Sequence, residues 1–117
     1  MYKLVVSDDV AFTARFVLND AGEDKEFGAK FRARRCPGAK LDELFRTAGL
    51  LATDLLKGQG LTLVGWAGAA PLVDEATGQA APADADAQEA LMALTGMPNV
   101  VLAAYTHANS AQAKLGN

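Results

Sequence analysis

Two stretches of this chain alternate apolar and polar residues with a period of two, and that pattern restricts the fold more than any other feature. In the first, Val10, Phe12, Ala14, Phe16 and Leu18 share one side, with Thr13 and Arg15 on the other. In the second, Phe27, Ala29, Phe31 and Ala33 share a side opposite Glu26, Lys30, Arg32 and Arg34. Successive strand side chains point to opposite faces, so each stretch reads as a half-buried β-strand. Asn19-Asp20-Ala21-Gly22-Glu23-Asp24 lies between them, and such residues tolerate the positive φ of a tight turn. The expectation is a β-hairpin over 1–35 whose four phenylalanines meet across the strands, with Tyr2–Val6 a candidate third strand.

Pro37 has no amide hydrogen for a ladder, so Cys36-Pro37-Gly38 ends the second strand. The period then changes. Leu41, Leu44, Phe45, Ala48, Leu51, Ala52 and Leu55 fall three or four apart, one stripe of an amphipathic helix over 39–57. Asp42 and Glu43 fit its first turn and Lys57 its last, matching the helix dipole. The phenylalanine face of the hairpin is its expected receptor.

Residues 58–84 form a link punctuated by glycine and proline, within which 61–66 fits a strand and a helical turn equally. Asp86 with Glu89 three residues on resembles a capping box, and Ala87, Leu91 and Leu94 continue a helical stripe. Gly96-Met97-Pro98 marks a stop and a new start. A final helix is predicted from Pro98 to Lys114, so 85–115 reads as a helical pair. A small sheet followed by about three helices makes an α+β fold, one domain over 1–117.

The 117 residues suffice for one core without staples, although 24 of the apolar residues are alanines. A single cysteine, Cys36, excludes an internal disulfide. The N-terminal residues lack the pattern of a signal peptide, and no run is apolar enough to span a membrane, so a soluble protein in a reducing compartment is expected. Ten of the 11 Lys and Arg lie in residues 1–57. The second half carries only Lys114 against five acids, and charge-poor surface is cheaper to desolvate against a partner.

Catalytic signals are weak. His107 has Ser110 three residues on, but a serine nucleophile also needs an orienting acid and an oxyanion hole. Metal-ligand spacing is missing, the glycines at 58, 60 and 65 lack the Gly-Lys-Ser/Thr of a phosphate loop, and no cofactor is expected. Cys36 beside Arg34 and Arg35 reads as a structural thiol. Lys30, Arg32, Arg34 and Arg35 form the basic cluster, readable as a nucleic-acid face or as a solvated strand face that protects an edge; the net charge of −3 weighs against nucleic acid.

Several runs in this order resemble the tail assembly chaperones of long-tailed bacteriophages. They are Phe27-Gly28-Ala29-Lys30-Phe31-Arg32, Leu41-Asp42-Glu43-Leu44, Val64-Gly65-Trp66-Ala67-Gly68, and Val73-Asp74-Glu75-Ala76-Thr77-Gly78. Met97-Pro98-Asn99-Val100-Val101-Leu102-Ala103-Ala104-Tyr105 and the end Ala113-Lys114-Leu115-Gly116-Asn117 complete the layout. The chain departs from it at 67–72, longer and more apolar than usual after the tryptophan, and at 80–83, where an aromatic is lacking.

The resemblance implies a non-enzymatic protein of the bacterial host cytoplasm, absent from the mature virion. It would bind the tape measure protein and keep it soluble while tail tube subunits polymerise. It also implies self-association and, in a frameshifted longer form, contact with the tail tube protein. Trp66, Val101, Tyr105 and Ala108 are the expected partner contacts, since aromatic anchors dominate interfaces. The competing classes are a small structural tail or head-completion protein, and a nucleic-acid module using the Lys30–Arg35 face.

Overall fold

The structure, a computed structural model, describes residues 2–46 and 51–113. Strands β1 (Asp9–Asp20) and β2 (Glu23–Arg34) form the hairpin, and β3 (Thr62–Trp66) joins β2 to complete a three-stranded antiparallel sheet in the order β1-β2-β3. Helices α1 (Gly38–Arg46), α2 (Ala52–Gly58), α3 (Ala85–Met92) and α4 (Met97–Asn109) make the α part of this α+β fold.

The hairpin register sets Phe12 opposite Phe31 and Phe16 opposite Phe27, with ring centroids 5.7 and 5.9 Å apart. The turn needs only Ala21 and Gly22, both at positive φ (53° and 95°), as a two-residue hairpin turn requires. Asn19 Oδ1 accepts from the Gly22 amide at 2.9 Å and closes it. The third strand is 62–66; Tyr2–Val6 forms none. Leu63 opposes Phe31 and is buried, while Val64 is the extra residue of a bulge and stays exposed.

The stripe over 39–57 is not one helix. Leu51 is extended (φ −93°, ψ 149°) and caps α2, so α1 and α2 are separate; Ala48 lies outside the described residues. Because α1 starts at Gly38, Asp42 and Glu43 sit in mid-helix rather than its first turn, while Lys57 does close α2. The helix packed on the phenylalanine side of β1 is α4. Its Tyr105 ring meets Phe12 edge-on at 6.0 Å, and Leu41, Leu55, Leu56, Leu91 and Val101 are buried in the same core.

Capping also differs in detail. Asp84, not Asp86, is the N-cap of α3, its side chain accepting from the Ala87 amide at 2.9 Å. The last helix stops at Asn109, where Ser110 turns extended; Lys114 lies outside the described residues. The long link is ordered by its own turn. Asp74 Oδ1 accepts from the amides of Ala76 and Thr77, and Val73 bridges to Ala80.

Candidate functional site

Tyr105 and Val101 are completely buried, which removes both from the expected partner surface. Four-residue spacing on α4 aims them at the sheet together, where the Tyr105 hydroxyl donates to the Arg34 carbonyl at 2.7 Å. Burial pushes the phenol above its ordinary pKa, an effect strengthened by the nearby Cys36 and opposed by hydrogen bonding to Gln59 and by the Arg35 charge. Ala108 is half-buried on the same helix. Trp66 is half-buried too, and its Nε1 donates to the Ala81 carbonyl at 2.9 Å, tying the link to β3. These four residues do not form one exposed patch: two are core and Trp66 is spent on the link.

The end of β2 is held by amide side chains acting as surrogate peptide groups. Asn109 Oδ1 accepts from Cys36 N at 2.7 Å while its Nδ2 donates to Cys36 O at 2.9 Å. Gln59 uses both its side chain and its main chain: Nε2 donates to the Arg34 carbonyl at 3.2 Å, and the Gln59 backbone carbonyl accepts from Arg34 N at 2.7 Å. Gln88 acts like Asn109 on the outer side of β3, its side chain accepting from Leu63 N at 2.8 Å and donating to Leu61 O at 3.0 Å. Amides suit this because each carries a donor and an acceptor spaced like a peptide. No periodicity flags them: Asn109 and Gln88 are half-buried on helices, and Gln59 is buried at the C-cap of α2.

The basic residues are spread over the sheet face opposite the helices. Lys30, Arg32 and Arg34 are exposed there, and Arg15 of β1 joins them. Arg32 lies 3.5 Å from Asp9, and Arg34 donates to the Gly58 carbonyl at 2.8 Å. Arg35 is half-buried and faces α4, donating to the Asn109 carbonyl at 3.5 Å. Phe12, Phe16, Phe27 and Phe31 lie on the other side of the hairpin, so none of these four is on the basic face for base stacking.

His107 and Ser110 do not pair: Ser110 Oγ donates to the Thr106 carbonyl at 2.7 Å. Cys36 is buried and free. Among the described residues, no group of three or more His, Cys, Asp or Glu side chains converges, and no helix is long and apolar enough to cross a membrane.

A groove of about 580 Å³ lies between α2, the start of β3 and α3. Leu56, Leu61 and Met92 line it, with Ala85 and Ala93 exposed along one wall and Lys57 and Glu89 among its charged residues. Gln88 lies within it but is committed to β3. The groove can receive an apolar side-chain row with charges of either sign beside it. Local periodicity does not show it because its walls come from two segments distant in sequence, 53–62 and 85–93.

The fold and groove define a small α+β protein with a sheet open on one face. No family model matches the chain, and no curated protein or solved structure matches it either.

Proposed function

We propose that the protein is a non-enzymatic tail assembly chaperone of a long-tailed phage or prophage, working in the bacterial host cytoplasm and left out of the virion. Its client is the tape measure protein, kept soluble until tail tube subunits polymerise around it. The motif order described above supports the reading, and the observation that carries it is the α2–β3–α3 groove. Alanines at 85 and 93 leave room for close approach of a helix, and Met92 adapts to irregular apolar side chains. Lys57 and Glu89 provide salt-bridge partners of both signs for the polar flanks of an amphipathic client helix. The contact surface thereby moves from α4, where Val101 and Tyr105 are buried, to α2 and α3.

The test is co-expression with the long helical protein encoded beside this chain, scoring the client's soluble fraction and co-purification. Rescue is expected with the natural sequence and with Ala103→Arg on the exposed side of α4. It should be lost with Ala85→Arg/Ala93→Arg, which fills the groove from exposed positions. An insoluble client with the natural chain overturns the reading. Retention on DNA that falls steeply with salt would favour the basic face instead, and detection in purified virions would favour a structural component.

A further inference from the structure

The two edges of the sheet are finished differently. At β3, Gln88 occupies the outer backbone groups and Val64 bulges, two devices that stop another strand from adding. β1 has neither. It runs for 12 residues in an unbroken register with β2, without proline or bulge, and among the described residues no further strand pairs with it.

The backbone groups left open follow from the turn. A two-residue turn makes Asp20 and Glu23 a hydrogen-bonded pair, and such pairs alternate along an antiparallel ladder. Even-numbered β1 residues therefore bond β2, and Ala11, Thr13, Arg15, Val17 and Asn19 turn their amides and carbonyls outward. The opposite strand agrees: Gly28, facing Arg15, gives its carbonyl to Ala67, and Arg34, facing Asp9, gives its amide to Gln59.

β1 is also a near-palindrome about Ala14. On the helix-covered face it reads Val10, Phe12, Ala14, Phe16, Leu18, and on the open face Ala11, Thr13, Arg15, Val17. Two copies running antiparallel about Ala14 place Phe12 against Phe16, Val10 against Leu18, and Ala14 against itself. The open face then matches Ala11 with Val17 and Thr13 with Arg15, with no like charges opposed among them; the one like-charged pair is at the ends, where Asp20 meets Asp8 just outside the strand. Val17 is 51% exposed, and Phe12 and Leu18 are only half-buried in the single chain, so the pairing covers apolar surface at the rim.

We propose that β1 pairs with β1 of a second copy about a two-fold axis at Ala14, giving a six-stranded continuous sheet through about eight new backbone hydrogen bonds. The inference does not rest on the chaperone reading, and its test uses this chain alone.

Sedimentation over a wide dilution series should show a species of twice the 12.2 kDa chain mass that dissociates on dilution. Thr13→Pro removes an amide that points to the free edge and costs no β1–β2 bond, so it should leave a folded monomer. Thr13→Asp and Thr13→Lys act through charge and keep the backbone intact, by facing Arg15 of the second copy. Asp should tighten and Lys weaken the dimer, each by roughly three- to thirtyfold because two pairs change together. Spin labels on Val17→Cys should lie about 20 Å apart, six strand residues along the interface. A monomer at millimolar chain, equal effects of Asp and Lys, or a label distance near 34 Å, expected for pairing about Phe12, overturns the proposal.

Discussion

The Tyr105 hydroxyl lies 2.7 Å from the Arg34 carbonyl, a bond that joins the last helix to the end of the central strand. The same carbonyl accepts from Gln59 at 3.2 Å, so both of its lone pairs are used inside the protein. Tyr105→Phe keeps the ring against Phe12 and removes one donor. Chemical denaturation should show a loss of about 1 kcal/mol, against about 3–5 kcal/mol for Tyr105→Ala, which also opens a cavity.

Alkaline pH should act through the same residue. Burial raises the Tyr105 phenol, so the folded state favours the neutral form more than the unfolded chain does. Its contribution is complete below the ordinary value of about 10 and is lost as pH climbs from there through the raised folded value. Thermal unfolding measured across that window should decline, and Tyr105→Phe should flatten this part of the decline. An identical decline in both proteins would remove Tyr105 as its source.

Gln88→Leu leaves the Leu63 amide and the Leu61 carbonyl without their partner. The expected cost is about 1–3 kcal/mol, at the low end because the site is half-open to water. An uncovered β3 edge should also increase light scattering at high concentration. Stability equal to the natural protein would mean that water substitutes fully for the amide.

Gly28 faces Ala67 where the chain leaves β3, and a Cβ added to it would lie 2.8 Å from the Ala67 Cβ. Gly28→Ala should therefore destabilise by about 1–3 kcal/mol through overpacking. Gly28→Ala combined with Ala67→Gly should recover much of the loss, which a propensity effect alone would not allow.

Ala21 holds a φ of 53°, which costs an alanine but suits asparagine. Ala21→Asn should raise stability by about 0.5–1 kcal/mol while leaving the register unchanged. Amide exchange along β1 and β2 should slow in step.

The hairpin was legible because a period of two is a local property: Phe12, Phe16, Phe27 and Phe31 declare their face by spacing alone. Short-range chemistry likewise marks a turn within Asn19–Asp24, which the structure narrows to Ala21-Gly22, the strand stop at Pro37 and the new helix at Gly96-Met97-Pro98. The 39–57 stripe misled because helical spacing persists through Leu51 even though its backbone is extended. Residues 61–66 fit either period since six residues are too few to separate the two; the strand itself is Thr62–Trp66. What tertiary structure alone decided is which apolar face meets which. It gave the sheet to α4, buried Val101 and Tyr105 in the core, and assembled the groove from Leu56, Leu61 and Met92. Periodicity tells that a face is apolar; only packing between distant segments, with every buried carbonyl and amide needing a partner, selects what covers it.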